Sequence, residues 1–417
     1  MTEAAPRRVP GGRGDPLPGG RAEPAAARWG GPGDRGATPA PRWRAEAPAK
    51  INLVLEVVGR RPDGFHELAS VFAPLALADE LTVRPMPPGA DAGNAESPAL
   101  PGAGHARPSD APAAPGVDVL AIEGAPGLST GDNLVLRAAA LLRRAAVASE
   151  IPRTAVAGPG RPGAAPACGP LAFRLRKRIP VAAGLGGGSS DALAALDLAA
   201  AAWGLRLGAR LRRELAAALG SDVPFFALGS WAHVRGRGEV LRRLPAPAGG
   251  PLGVLLVVPA ARLSTRDVFA ALDAAGEGRG SAAEGRRTSG ERDAVARTAG
   301  TPVSPGARGG AAARLATAIR GGADVREIAA IEPANDLLPA AVALLPELEP
   351  LRQALAGLLG RQVHLSGSGP TLAVLYPSPG GARRAATVVR AAAARGALPQ
   401  PGGPLDVIAT RTLGGVP

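Results

Sequence analysis

The chain has 417 residues, 46% of them hydrophobic, which is enough for two domains with apolar cores. Its single cysteine, Cys168, excludes an intrachain disulfide and indicates a reducing compartment. The net charge of +13 is compatible with a nucleic-acid partner, but the arginines are scattered and aromatic residues make up only 3%, so we expect none.

Residues 1–41 are rich in Gly, Pro, Arg and Ala without an apolar period, which predicts a disordered tail. They also lack the apolar core of a secretory signal. Three later stretches share this composition, and we predict that they are surface insertions in loops: 87–117, 152–170 and 276–312. No internal repeat is found.

The remaining segments predict both strands and helices. Strands are expected at 50–58, 67–83, 171–176, 362–365, 371–376 and 405–412, and a new pattern starts with the apolar run GVLLVVP after Pro251. Helices are expected at 133–148 with Asp132 as N-cap, and at 189–203, 209–219, 265–274, 334–358 and 381–395. Because strands and helices do not alternate regularly, we predict an α+β fold with two domains, 42–250 and 251–417.

The longest apolar run, near 192–205, contains Asp197 and is too short to cross a bilayer. We therefore expect a cytoplasmic protein without a membrane partner.

The strongest local pattern is the run PVAAGLGGGSSD from Pro180 to Asp191, between a predicted strand and a predicted helix. Closely spaced glycines let backbone N–H groups approach phosphate oxygens, and the start of a helix favours negative charge. The run is not a Walker A loop, because no Gly-Lys-Ser/Thr follows, and Ser189 stands where the dinucleotide fingerprint ends in glycine. Taken alone, the run is also compatible with a flexible hinge or a tight strand-to-helix turn.

Three weaker patterns accompany it. The run APAKIN contains Lys50, one of two lysines among 48 basic residues, and a lysine kept in so arginine-rich a chain indicates a need for a compact ammonium group. Asp222 lies in GSDVPFF, and SGSGPT over 366–371 forms a glycine-rich turn. Taken alone, Lys50 is also typical of a solvated lysine on a strand, and Asp222 of an aspartate in a turn. The run over 366–371 is also typical of a hairpin loop.

Together and in this order, the four runs resemble the signature motifs of the GHMP kinases. Within that superfamily the chain is most similar to the kinases that phosphorylate 4-diphosphocytidyl-2-C-methyl-D-erythritol on the methylerythritol phosphate route to isoprenoids. The further matching runs are GRRPDGFHEL over 59–68, Asp132-Asn133-Leu134 and Asn335-Asp336-Leu337. The resemblance covers residues 43–270 and 325–412, and Phe65 stands where tyrosine is frequent in the family.

The resemblance implies an N-terminal domain like domain 2 of ribosomal protein S5, a ferredoxin-like C-terminal domain, and a site between them that uses ATP and Mg²⁺. It implies that Lys50 and Asp222 are catalytic, with Asp222 as general base for a C2 hydroxyl. Phe65 and His66 would recognise cytosine and Asn52 the methylerythritol portion. Ser190 would contact Mg²⁺, and the ATP site would comprise Lys177, Pro180, Val181, Ala182, Ala183, Gly184, Leu185, Gly186, Gly187, Gly188, Ser189 and Ser190.

Three other readings stay open at this point: a homoserine or mevalonate type of GHMP kinase, a binding protein with an inactive kinase fold, and a basic nucleic-acid-binding protein. The run from Asp63 to Leu68 argues against the first, and retention of Lys50 and Asp222 argues against the second. The oligomeric state is left open.

Overall fold

A computed structural model describes residues 42–86, 117–125, 127–128, 131–148, 151, 168–284, 310–332 and 334–415. The predicted tail 1–41 and most of the three predicted insertions lie outside these residues. The side chains of residues 276–284 are also outside the description.

The first sheet has seven strands built on one long hairpin. Its strand order is β3-β4-β2-β1-β8, and β5 pairs with β2 and with β6. The strands are β1 Trp43–Arg60, β2 His66–Pro85, β3 Val119–Glu123, β4 Leu171–Arg176, β5 Ala232–Gly236, β6 Val240–Arg243 and β8 Ala334–Asn335. The β1–β2 register shifts between Pro48 and Lys50 and again between Asn52 and Val54. Such register shifts change the direction of nearby side chains, and here they lie on both sides of Lys50 in the APAKIN run.

Four helices pack on this sheet: α1 Leu134–Ala148, α2 Gly187–Ala202, α3 Ala209–Leu219 and α4 Val223–Leu228. Residues 190–196 of α2 are all buried, and three alanines among them let the helix approach the hairpin and its neighbouring helices closely. By contrast α3 is amphipathic, with Leu215, Ala216 and Leu219 buried. Its predicted end at Gly220 is confirmed.

The second sheet has four antiparallel strands in the order β11-β7-β10-β9, the order of a ferredoxin-like sheet. These are β7 Gly253–Val258, β9 His364–Leu365, β10 Leu372–Tyr376 and β11 Asp406–Arg411. Strand β7 is buried on both faces: Leu256 belongs to the core shared with the first sheet, and Leu255 belongs to the core under the C-terminal helices. Its uninterrupted apolar sequence follows from this double burial.

Six helices belong to the C-terminal half: α5 Thr265–Glu284, α6 Gly310–Arg320, α7 Val325–Ala329, α8 Leu338–Leu344, α9 Leu348–Leu359 and α10 Pro379–Ala394. None of the helices in the described ranges has the length and apolar character needed to cross a membrane.

Several predicted boundaries are wrong. The helix predicted over 334–358 is two helices, because Pro346 lies between them and cannot donate a backbone hydrogen bond. Residues 334–335 form strand β8. Helix α1 is capped by Asn133 rather than Asp132, since Asn133 Oδ1 accepts a hydrogen bond from the amide of Val135, at 3.0 Å. Helix α6 starts at Gly310, inside the predicted insertion 276–312.

The proposed division near residue 250 falls between β6 and β7. Two later elements nevertheless join the first sheet, since β8 pairs in parallel with β1 and α6 packs on β1 and β2. The two-domain division therefore stays a prediction.

Candidate active site

A cavity of about 1020 Å³ gathers most of the residues that the sequence singled out. Its walls come from β1, the tip of the β1–β2 hairpin, the loop before α2, the start of α4 and the first turns of α5. The predicted site residues that line it are Lys50, Asn52, Phe65, His66, Lys177, Asp222 and every residue from Pro180 to Ser189. Ser190 does not line it: this residue is buried at 2% exposure and faces a smaller pocket on the other side of α2.

The glycine loop runs into α2 with backbone conformations that explain its composition. Gly184 and Gly186 have φ of 73° and 70°, the left-handed region that glycine tolerates best. A Cβ at Gly184 would lie 2.2 Å from the carbonyl oxygen of Ser366, so the loop and the 366–369 turn touch backbone to backbone. No side chain caps the first turn of α2. Its amide groups therefore face the cavity as an anion-binding end of a helix.

Lys50 is a buried cation of the cavity, with a side chain only 5% exposed. Its Nζ donates to Asn52 Oδ1 at 2.6 Å and lies 3.6 Å from Asp222 Oδ2. Asn52 in turn donates to Ser70 Oγ at 3.1 Å. Asp222, which immediately precedes α4, is 32% exposed and so can be reached by a bound molecule. Lys50 also ties β1 to the glycine loop, because its amide donates to Leu185 O at 2.9 Å.

Lys177 forms a second charged cluster below the loop. Its Nζ donates to Asp79 and, at 2.8 Å, to Asp191 Oδ2, and all three side chains are buried. Burial, together with the charge of Asp79, raises the pKa of Asp191 to about 7, although the charge of Lys177 acts to lower it. Burial alone would lower the pKa of Lys177, but the two carboxylates raise it overall. Among the described residues Asp191 Oδ1 has no hydrogen-bond partner, and Asp191 borders the cavity.

The tip of the β1–β2 hairpin forms the far end of the cavity. Asp63 Oδ1 accepts from the amide of Phe65, and Gly64 supplies the positive φ of 83° that the turn requires. Phe65 is 52% exposed, with the guanidinium of Arg237 4.5 Å from its ring centroid. His66 stacks on Phe269 of α5 with ring centroids 4.8 Å apart, and its Nε2 lies 2.8 Å from Asp273 Oδ1.

The glycine-rich turn of residues 366–369 closes the cavity beside Lys50. A Cβ at Gly367 would lie 3.4 Å from Lys50 Nζ and from Asn52 Oδ1, so the turn is close to the charged pair. Asn335 holds it there, because its Nδ2 donates to the carbonyls of Leu365 and Gly367, both at 2.9 Å.

The sequence did not identify several residues of the site. Asp79 was detectable, because it interrupts the apolar run of β2 with a charge. Asp191 ends the PVAAGLGGGSSD run, but the run alone indicates no role for its side chain. No sequence pattern indicates Phe269 and Asp273, because they are distant in sequence from the β1–β2 hairpin and contact it only in the folded chain.

Comparison with known proteins matches both halves of the chain. Residues 133–230 match the family model for the GHMP kinases N terminal domain, and residues 315–395 match that for GHMP kinases C terminal. The chain is 41% identical over 228 residues to the 4-diphosphocytidyl-2-C-methyl-D-erythritol kinase of Pelotomaculum thermopropionicum, a match that spans 54% of this chain and 62% of that relative.

Longer matches are also found. The enzyme of the same name from Kineococcus radiotolerans is 35% identical over 355 residues, which cover 82% of this chain and 84% of the relative. A crystal structure of 4-(cytidine 5'-diphospho)-2C-methyl-D-erythritol kinase superposes with a TM-score of 0.54 and 30% identity, covering 89% of this chain and all of that one. These matches confirm the predicted fold class and the predicted resemblance.

Proposed function

The chain belongs to the family of 4-diphosphocytidyl-2-C-methyl-D-erythritol kinases, and from this we propose that it transfers the γ-phosphoryl group of ATP to the C2 hydroxyl of that compound, a step in isoprenoid biosynthesis. One observation carries the assignment of the reacting groups: Lys50 Nζ lies 3.6 Å from Asp222 Oδ2, in a cavity that also borders the glycine loop. A buried cation beside an accessible carboxylate suits proton removal from an alcohol.

Asp222 accepts the proton of the attacking hydroxyl. Lys50 offsets negative charge that develops on the reacting oxygens. Asn52 and Ser70 fix the position of the ammonium group through consecutive hydrogen bonds. Little covalent chemistry is required of the protein in phosphoryl transfer, so positioning and charge account for most of the catalysis.

The phosphates of ATP lie against residues 184–189 and the N-terminal end of α2, where backbone amides are available and side chains are small. Leu128, Asn133 and Pro180 extend the cavity beyond this loop and leave room for the base.

The residues here fit Mg²⁺, a hard cation that binds a few protein oxygens together with substrate phosphates. Asp191 brings a carboxylate oxygen without a hydrogen-bond partner, and Ser189, unlike Ser190, lines the cavity with a hydroxyl. These two would hold the ion, which neutralises phosphate charge when bound.

The cytidyl group occupies the end formed by the hairpin tip. Phe65 and Phe269 offer aromatic faces and His66 offers a ring nitrogen. Asn52 lies nearer the catalytic pair and would contact the methylerythritol portion. A cytoplasmic location and the absence of a nucleic-acid partner stay predictions, and a gel-shift assay over a range of salt concentrations checks the latter.

ADP release by the purified protein with ATP and Mg²⁺ tests the function. We expect release with 4-diphosphocytidyl-2-C-methyl-D-erythritol and none above background with homoserine or mevalonate. Faster turnover of either of those two acceptors would assign the chain another role within the GHMP kinases, and turnover of none would refute the proposed activity.

A further inference from the structure

His66 is held from one side by a single face of α5. Phe269 and Asp273 are four residues apart and so lie on the same side of that helix. Phe269 stacks on the imidazole with an interplanar angle of 25°, which fixes the plane of the ring. Asp273 Oδ1 lies 2.8 Å from Nε2, which fixes the direction in which that nitrogen points.

The partner of Nε2 decides which nitrogen carries the proton. An ionised carboxylate only accepts hydrogen bonds, so Nε2 must donate, and in a neutral imidazole Nδ1 is then an acceptor. The guanidinium of Arg60 lies on the other side of this carboxylate, 3.8 Å from Asp273 Oδ2. The hairpin holds Arg60 opposite His66 in the β1–β2 register. None of the described residues forms a hydrogen bond with Nδ1, and His66 lines the cavity.

We propose that Asp273 is a positioning residue that makes the site select cytosine over uracil. By holding the Nε2–H tautomer it presents the Nδ1 lone pair to the pyrimidine edge. Cytosine carries an amino group at C4, which donates a hydrogen bond, whereas uracil carries a carbonyl oxygen there, which only accepts. A buried acceptor facing a carbonyl oxygen leaves both groups unsatisfied, and such mismatches discriminate strongly between analogues. The inference rests on the proposed cytidyl substrate.

The experiment compares the full-length protein with Asp273→Lys and Asp273→Ala, using the cytidyl substrate and its diphosphouridyl analogue. A lysine at 273 donates to Nε2 and so forces the proton onto Nδ1. We expect the ratio of the two kcat/KM values, cytidyl over uridyl, to fall at least about tenfold in Asp273→Lys and by less in Asp273→Ala. Asp267→Lys, an exposed position on the same helix with the same charge change, keeps the wild-type ratio.

A second readout reports the tautomer without turnover. Nitrogen-15 spectra distinguish protonated from unprotonated ring nitrogens, and His66→Gln identifies the resonances of His66 among the four histidines. We expect Nε2–H in the wild type and Nδ1–H in Asp273→Lys. The inference would be overturned if the wild-type protein carried the His66 proton on Nδ1. It would also be overturned if Asp273→Lys kept the wild-type ratio of cytidyl to uridyl kcat/KM. If the wild-type protein phosphorylates neither nucleotide substrate, the proposed function fails instead.

Discussion

At the scale of single residues, Lys50 makes three contacts that suit an ammonium group. It bonds Asn52 Oδ1, approaches Asp222 and lies 4.8 Å from the ring centroid of Phe72. A Cβ at Gly186 would lie 2.9 Å from Lys50 Cγ, so the glycine loop packs closely along the aliphatic part of the lysine side chain.

We therefore predict that Lys50→Arg lowers kcat on the order of a hundredfold, because a guanidinium binds the carboxylate as a fork and displaces it from the substrate hydroxyl. ATP affinity and folding stay intact. The matched control is the reverse exchange Arg176→Lys on the exposed side of β4, which leaves kcat unchanged. Steady-state kinetics of both variants suffice, and more than half of the wild-type kcat in Lys50→Arg refutes the role given to this lysine.

How much of the site can be predicted depends on distance along the chain. Lys50 and Asn52 are two residues apart on a strand, and this spacing indicates that their side chains lie on the same face of the sheet. His66 and Asp273 are 207 positions apart and share no motif. Only tertiary folding brings them together, so sequence patterns had no means of joining them. Ser190 shows a different limit of the motif, which contains two adjacent serines and does not indicate that Ser189 rather than Ser190 lines the cavity.

At the scale of elements, the glycine loop and the 366–369 turn act as one unit. Ser366 Oγ donates to Gly184 O at 3.2 Å, and no Cβ fits between the two backbones at Gly184.

We predict that Gly184→Ala raises the KM for ATP at least about tenfold and lowers the melting temperature, because it adds both a clash and an unfavourable positive φ. Gly357→Ala in α9 is the control, since its Cβ meets nothing within 4 Å, and there alanine stabilises by about 0.4–1 kcal/mol. Thermal melts and ATP titrations of both variants give the answer. An unchanged ATP KM in Gly184→Ala means that the loop does not hold the nucleotide.

Elements with a clear period were predicted well and short ones were not. The alternation of β4 and the amphipathic α3 gave correct bounds. Helix α4 has only six residues and β8 only two, too few for a period, and both exist through packing and strand pairing with distant residues. Two helical predictions were wrong for local reasons: Pro346 divides the helix predicted over 334–358, and Asn133 rather than Asp132 caps α1.

For the molecule as a whole, the described residues begin close in sequence to the site. Trp43 opens β1 and pairs with Val83, seven residues before Lys50. Residues 1–41 carry no motif and no apolar period.

We predict that a chain beginning at Pro41 keeps its specific activity and its melting temperature. A loss of more than about tenfold, or roughly 1.4 kcal/mol of barrier, contradicts the reading of this segment as a dispensable tail. The comparison uses equal concentrations of full-length and shortened protein in the same ADP-release assay.

In the proposed mechanism Asp222 is the base for phosphoryl transfer in this cavity, and the substitution Asp222→Asn probes that role. The amide keeps the shape of the carboxylate but cannot take the proton. We predict that kcat falls about 10²–10⁴-fold while the dissociation constant for ATP is unchanged. Asp406→Asn, an exposed carboxylate at the start of β11, keeps wild-type kcat. A kcat near the wild-type value in Asp222→Asn, with ATP bound normally, would contradict the account.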